Sequence, residues 1–147
     1  MKESIAAVIA DVSRLMRRSF DARARKIGVT RPQWQVLTVL RRHEGINQGR
    51  LAELLEVEAI TVCRMVDRLE EAGLVDRQAD PSDRRAWRLF LTVKAERLMD
   101  RLRPLAGELV EEALAGLDAA ERADLYRMLD EVRQNLTRKT PEERAHG

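Results

Sequence analysis

Two groups of arginine and hydroxyl side chains near the middle of the sequence have residue types and spacing that suit binding to phosphates and base edges. In the first group, Thr61, Arg64 and Arg68 follow at intervals of three and four residues, which places them on one face of a helix. A guanidinium group can donate to guanine O6 and N7 together, and a hydroxyl can donate to a phosphate oxygen. The alternative is a solvated helix face with ion pairs between successive turns, and helix composition alone favours neither interpretation.

The second group lies in the stretch "DPSDRRAWR", residues 80–88, whose proline and aspartates are typical of a turn. Its candidate nucleic-acid contacts are Ser82, Arg84 and Arg85. Asp83 can hold one of the two guanidinium groups in place, so that the other reaches outward. Because a narrow minor groove has an enhanced negative potential, an arginine that enters it is favoured. This stretch predicts a braced tip that reaches DNA.

Few other side chains suggest chemistry. One cysteine and two separated histidines exclude an internal disulfide and argue against an ordinary zinc site, and no convergent catalytic set is visible, so we expect neither a metal nor a cofactor. The formal net charge is only +2, and residues 41–90 carry nine arginines against ten acidic residues. The positions of the arginines, rather than the total charge, must therefore support any interaction with nucleic acid.

Hydrophobic spacing and capping residues predict the elements that position the first group. A helix that starts with a capping box at Thr30 leads to a short helix capped by Asn47. A break over residues 56–58 separates this short helix from a longer one that ends at Gly73. A short helix, a three-residue break and a longer helix have the lengths of a helix-turn-helix, with Arg64 on its second helix.

A two-stranded hairpin is predicted directly after these helices. Its strands are residues 74–78 and 87–92, joined by the charged turn. Trp87, Leu89 and Leu91 alternate with other residues, and we expect all three to anchor the hairpin to the helices. The predicted fold class is therefore mainly α (α+β), a winged helix-turn-helix with a two-stranded β-wing over residues 30–92.

Long amphipathic helices are predicted at both ends of the chain. Residues 1–29 and 93–138 are expected to form a helical dimerisation domain, and residues 139–147 a flexible tail. The alternative is that the end helices form a single monomeric core. No apolar run approaches the roughly 20 residues that span a bilayer, and no signal peptide is evident, so we expect a cytoplasmic, nucleoid-associated protein with no membrane partner.

Several stretches resemble the MarR family of bacterial winged-helix regulators. They are "TRPQWQVLTVL" (30–40), "LAELLEV" (51–57) and "TVCRMVDRLEEAGLVDRQADPSDRRAWRLFLT" (61–92). The context "RRAWRLFLTVKAERL" is most similar to the SlyA branch, although Ala95 stands where most members carry glycine. The resemblance covers residues 5–136, and it is most specific between Val66 and Thr92.

The resemblance implies a transcriptional regulator, most often a repressor, that binds a pseudo-palindromic DNA operator as a homodimer. Thr61 and Arg64 would then face the major groove, and Arg85 would enter the minor groove. Arg84 would be tied to a wing-bracing aspartate, either Asp83 or Asp67.

The resemblance also implies a small aromatic carboxylate or phenolic effector that lowers the affinity for DNA. Arg14, Arg18, Trp34 and Arg64 are the candidate ligand-binding residues. The alternative is that the arginines are solvated or face phosphate and that the tryptophan belongs to the core. Cys63 is either a small packing residue or a redox sensor, and no cysteine matches the position used by peroxide-sensing relatives, near the start of the first helix.

Two other functions compete with DNA binding. A winged-helix protein–protein interaction module without DNA binding would have a neutral second helix and a short or apolar wing, and "DPSDRRAWR" argues against it. A small helical enzyme would need clustered nucleophiles, acids or metal ligands. The scattered histidines and the single cysteine do not provide such a cluster.

Overall fold

The computed structural model describes residues 2–138, which form six helices and one two-stranded antiparallel sheet. Met1 and the predicted tail, residues 139–147, lie outside the described residues. The elements in chain order are α1 (Ile5–Lys26), α2 (Arg31–Arg42), α3 (Gln48–Leu55), α4 (Ala59–Glu71), β1 (Val75–Ala79), β2 (Trp87–Leu91), α5 (Val93–Ala113) and α6 (Ala119–Thr137). The predicted fold class, a winged helix-turn-helix with helices at both ends, is confirmed.

The predicted helix starts are confirmed by hydrogen bonds from backbone N–H groups to capping side chains. Thr30 and Gln33 form a reciprocal capping box at α2, and Asn47 Oδ1 accepts from the backbone of α3 at 2.8 Å. Thr92 Oγ1 accepts from the Ala95 N–H at 3.1 Å and starts α5. The break between α3 and α4 spans residues 56–58, as predicted, and turns at Glu56, whose φ is +56°.

One apolar core joins the helix-turn-helix to the sheet. It is built from buried residues on α2, α3, α4, both strands, the connection before β1 and the first turn of α5: Val36, Leu37, Leu40, Leu51, Ala52, Val62, Val66, Leu69, Leu74, Val75, Leu89 and Ala95. Each fully buried leucine or valine contributes about 1.5–3 kcal/mol relative to an exposed one. Because the same core contains the inner faces of α4 and the strands, it sets the position of the wing relative to α4.

A short segment before α3 pairs with the outer edge of β2, which the sequence did not predict. The Gly45 N–H donates to the Leu89 carbonyl at 2.8 Å, and the Leu89 N–H donates to the Ile46 carbonyl at 2.9 Å. Gly45 has a φ of +84°, and a Cβ there would lie 2.8 Å from Arg88 Nη2. The arginine side chain could move away from such a Cβ, so it is the positive φ that favours glycine here.

A buried carboxylate joins α1 to α2. Asp21 is only 7% exposed, and its Oδ1 accepts from the Trp34 indole N–H at 2.7 Å. Its Oδ2 accepts from the Arg31 guanidinium group. Burial alone would raise the pKa of Asp21, but the hydrogen bonds from Arg31 and Trp34 and the positive charges of Arg31 and Arg25 outweigh burial and lower it. The ionised carboxylate is thus the form that the fold stabilises.

The chain divides into two compact units, Met1–Leu109 and Val110–Gly147. In the second unit, Asp118 and Glu121 form a capping box at the start of α6. Arg122 links the end of α5 to α6, since it pairs with Glu111 at 2.9 Å and donates to the Leu117 carbonyl at 2.9 Å. Among the described residues, no helix is both long enough and apolar enough to cross a membrane.

We expect Asp21→Asn to lower the free energy of unfolding at neutral pH by about 1–2 kcal/mol, since it weakens hydrogen bonds to a charged group. Because folding lowers the pKa of Asp21, its contribution is complete above the unfolded-state pKa of about 3.9 and is lost as the pH falls through the folded-state pKa. Urea unfolding from neutral pH down to about pH 3 measures this loss. The stability of the variant should decline less steeply with acid than that of the wild type.

The matched control is Asp100→Asn, which removes an exposed carboxylate whose Oδ1 lies 3.6 Å from the Arg103 guanidinium group. This control should keep the acid dependence of the wild type. If Asp21→Asn also keeps it, the buried carboxylate does not contribute to the pH dependence of folding.

Candidate nucleic-acid interface

The outer face of α4 carries the first group of predicted contacts. Thr61, Arg64 and Arg68 are exposed, whereas Val62 and Val66 on the opposite face are completely buried. The buried face fixes the rotation of α4 about its own axis, because turning the helix would expose those side chains to water. The three polar side chains are therefore held outward as one stripe.

The aspartates of the wing tip hydrogen-bond to the backbone rather than to guanidinium groups. Asp80 Oδ1 accepts from the Ser82 N–H at 2.9 Å and from the Ser82 hydroxyl at 2.7 Å. Asp83 Oδ1 accepts from the Arg85 N–H at 2.9 Å. Both are local turns in which an aspartate satisfies a backbone donor two residues later. The aspartates therefore shape the tip.

The predicted tie between Arg84 and an aspartate is absent from residues 2–138. Neither Asp83 nor Asp67 forms an ion pair with Arg84 there. Asp67 instead pairs with Arg77, with Oδ1 and Nη1 2.6 Å apart. The reason is strand register: Arg77 lies opposite Leu89 in the ladder and therefore on the face that meets α4.

Arg77 connects the wing to both helices of the helix-turn-helix. Its Nε donates to Gln48 Oε1 on α3 at 2.8 Å, and its Nη2 donates to the Cys63 carbonyl on α4 at 3.3 Å. Its Nη1 also lies 3.5 Å from Glu70 Oε1, in addition to the pair with Asp67. The sequence offered a signal for this role, because Arg77 is two residues after the buried Val75 on the same strand.

Trp87 is less buried than predicted. Leu89 is completely buried and Leu91 is partly buried, but Trp87 is 48% exposed. It pairs with Ala79 at the far end of the ladder and borders a cleft of about 490 Å³. The other lining residues are Gln48, Cys63, Asp67, Glu70 and Arg77. Trp87 therefore lies half-exposed at the border of this cleft, whereas Leu89 is inside the core.

Four exposed arginines form no ion pair with an acidic residue within residues 2–138. They are Arg64, Arg68, Arg84 and Arg85. Four neighbouring carboxylates have other partners, since Asp67 and Glu70 bind Arg77 and the tip aspartates bind backbone N–H groups. The four guanidinium groups therefore remain available to an anion, although these carboxylates keep their negative charge.

Negative charge is concentrated at the other end of α4. A shallow cavity of about 610 Å³ at the α3–α4 turn is lined by Glu53, Glu56 and Glu58 together with Thr61. These carboxylates would repel a phosphate close to Thr61. The potential that favours an anion therefore comes from the later turns of α4 and from the wing.

The predicted effector residues have different surroundings. Arg14 lies on the exposed surface of α1, where it pairs with Asp11 at 3.3 Å. Arg18 is exposed on the same helix. Trp34 donates to Asp21 and packs edge-on against Phe20, with ring centroids 4.9 Å apart. The indole therefore has a structural role in joining α1 to α2, and an effector-binding role for these residues stays a prediction.

Comparison with protein families and solved structures gives consistent matches. The family model described as MarR family matches residues 29–87. The crystal structure of a MarR transcriptional regulator from Methanosarcina mazei Go1 is 30% identical, with a TM-score of 0.81, over 91% of this chain and 96% of that one. The structure of the transcriptional regulator SlyA is 28% identical, with a TM-score of 0.75, over 91% and 94% of the two chains.

MarR from E. coli matches in two structures. The structure of a mutant is 27% identical, with a TM-score of 0.82, over 90% of this chain and 98% of that chain. The structure of the mutant complexed with operator DNA is 28% identical, with a TM-score of 0.72, over 87% and 92%. The likeness therefore extends over both terminal helices as well as the winged helix.

The hydrogen bonds at the wing tip predict a measurable pKa. The Ser82 hydroxyl, followed by the Ser82 N–H, lowers the pKa of Asp80 below its usual value. Ser82→Ala should therefore raise that pKa towards the usual value, and an NMR titration of the carboxyl carbons measures it. Ser13→Ala, a change on the exposed surface of α1, should leave Asp80 unaffected. An identical Asp80 titration in Ser82→Ala would contradict the hydrogen bond.

Proposed function

The chain belongs to the MarR family of transcriptional regulators, and on this basis we propose that it binds double-stranded DNA in a sequence-specific manner. In the proposed complex, α4 lies in the major groove and the wing reaches the adjacent minor groove. The MarR of E. coli whose structure contains operator DNA supports this proposal by its similarity to the chain. The protein would act at the nucleoid as a repressor of transcription.

The observation that carries the proposal is the group of arginines on α4 and the wing tip that form no ion pair within residues 2–138. On α4, Arg64 and Arg68 are separated by one helical turn, so that one can reach a base edge while the other contacts the backbone. At the tip, Arg84 and Arg85 extend from a turn whose aspartates are already engaged. A protein–protein module would not require four exposed guanidinium groups without acidic partners in the described part of the chain.

We also propose that the DNA-binding form is a homodimer built from α1, α5 and α6. The supporting observation is exposed apolar surface: the stripe of α1 lies on the surface, and no residue of α6 is buried. The exposed large aliphatic and methionine side chains of these two helices are Ile5, Val8, Ile9, Val12, Leu15, Met128, Leu129, Val132 and Leu136. Such faces on amphipathic helices mark association surfaces. A second copy of the chain would cover them and present two winged helices to a pseudo-palindromic operator.

In this proposed dimer, two parts of the chain have different roles. Residues 1–29 and 93–138 would form the dimerisation domain, and residues 30–92 would form the DNA-binding lobe. Release of DNA by an aromatic carboxylate or phenol is proposed from the family alone. The exposed guanidinium groups of Arg14 and Arg18 could bind its carboxylate, whereas the Trp34 N–H is already hydrogen-bonded to Asp21.

We expect Arg64→Ala and Arg85→Ala to weaken DNA binding in different ways. If Arg64 reads a base, its loss should cost about 1–3 kcal/mol and relax specificity at one position of each half-site. If Arg85 contacts the backbone within the minor groove, its loss should weaken all sequences and reduce the salt dependence of the binding constant, because fewer counterions are released. The probe is the duplex that the wild-type protein enriches from a random-sequence library.

Arg103→Ala on α5 is the matched control, since its guanidinium group lies 3.6 Å from Asp100 outside the proposed interface. It should bind the duplex like the wild type at every salt concentration. If the wild type enriches no duplex, the DNA-binding proposal is wrong and the protein–protein alternative gains support. If it enriches one and both arginine variants bind it normally, the interface lies elsewhere.

The proposed dimer predicts a solution mass of twice the 16.9 kDa chain. Leu129→Glu places a charge on the apolar face of α6, so it should shift the mass towards the monomer in sedimentation equilibrium. Arg127→Glu, on the opposite face of the same helix, is the control and should remain dimeric. A wild-type protein that is monomeric at all concentrations would contradict the assembly.

A further inference from the structure

The wing is attached on its two strands in different ways: on β2, Arg88 Nε donates to the Gly45 carbonyl at 3.0 Å, whereas β1 has few attachments near the tip. Its apolar anchors, Val75 and Leu89, lie at or below the middle of the ladder, and the side chain nearest the tip on the same face is the half-exposed Trp87. Arg77 is the residue opposite Leu89, and its side chain is 14% exposed. From Arg77 to the first tip residue the strand advances about 10 Å at 3.3 Å per residue. A small change of angle at Arg77 would therefore displace the arginines of the tip.

The contacts of Arg77 are better suited to holding the angle between α4 and the wing than to stabilising the fold. The side chains of its carboxylate partners, Asp67 and Glu70, are 53% and 47% exposed, so solvent screens both ion pairs. The contacts are nevertheless directed along different N–H bonds of one rigid group, towards Gln48 on α3 and towards α4. A planar guanidinium group can satisfy these acceptors together, whereas a lysine ammonium group is a point charge that cannot match the fork.

We propose that Arg77 is a positioning residue for DNA binding, which sets the angle between the recognition helix α4 and the wing so that Arg64 and Arg85 reach the same duplex. This inference rests on the proposed function. It assigns to Arg77 no contact with DNA, because its donors are already directed to acceptors within the protein. The loss of Arg77 should therefore remove the contribution of the wing and leave that of α4.

A double-mutant cycle tests this separation with Arg77→Gln, using the duplex enriched by the wild type. In the wild-type background, Arg85→Ala should lower the affinity by about tenfold, within the range for one arginine contact. In the Arg77→Gln background, Arg85→Ala should lower it by less than about twofold, because a displaced wing no longer places Arg85. Arg64→Ala should lower the affinity by the same factor in both backgrounds.

The inference is overturned if the effects on DNA affinity are additive for both pairs, Arg77 with Arg85 and Arg77 with Arg64. Arg85→Ala would then lower the affinity by the same factor in the Arg77→Gln background as in the wild type. General destabilisation would leave both cycles additive as long as the proteins are folded, so it cannot imitate the expected result. In an Arg77→Lys background, the loss of DNA affinity caused by Arg85→Ala should lie between the losses in the wild-type and Arg77→Gln backgrounds. If Arg77→Gln does not fold, Asp67→Asn removes the 2.6 Å ion pair with Arg77 unchanged, and it should show the same selective coupling to Arg85.

A second measurement needs no DNA. The chain has two tryptophans, so in a Trp34→Phe background Trp87 is the only one and reports on the cleft beside Arg77. Arg77→Gln should increase acrylamide quenching of Trp87 and shift its emission to the red, whereas Arg103→Gln should change neither. Unchanged quenching would overturn the positioning role whatever the DNA result. If quenching increases but the wild type enriches no duplex, the proposed function fails and the role in DNA binding fails with it.

Discussion

Leu89 is the point on which the geometry of the interface depends. Its side chain is completely buried in the core shared by α2, α3 and α4, and its N–H and carbonyl both pair with residues 45–46. Burial of such a side chain contributes about 1.5–3 kcal/mol, and each backbone hydrogen bond adds about 0.5–1.5 kcal/mol. A two-stranded hairpin is marginal by itself in water, so this attachment makes the wing a fixed part of the lobe.

The exposed arginines of the interface are available to a ligand because nearby acidic residues have other partners, not because bases predominate. Residues 41–90 contain nine arginines and ten acidic residues, which nearly cancel. The fold gives four of these acidic residues partners other than the exposed arginines: Asp67 and Glu70 face Arg77, while Asp80 and Asp83 close the turns of the tip. Exposed guanidinium groups then point outward, and three of the remaining acidic residues, Glu53, Glu56 and Glu58, lie at the α3–α4 turn. Arrangement, rather than net charge, creates a surface suited to phosphates.

Most elements could be predicted because their signals are local. Capping side chains bind backbone groups within three residues, so Thr30, Asn47 and Asp118 could be assigned to helix starts from sequence alone. The exposed stripe of α4 followed from helical spacing in the same way. The tie of Arg84 to Asp83 or Asp67, which the family resemblance implied, is not present among residues 2–138. The aspartates of the tip accept from backbone N–H groups, and Asp67 on α4 pairs with Arg77 on β1.

The sequence by itself determined the helix-turn-helix, the hairpin, the family and the set of arginines available for DNA, since each depends on spacing along the chain or on a recognisable motif. The tertiary structure decided which arginine is internal and which are exposed. Arg77 and Arg85 have the same chemistry, but strand register places Arg77 against α4, while the turn directs Arg85 into solvent. Only the folded chain brings together residues from α3, α4 and β1, because their sequence separations of up to 29 residues carry no local signal.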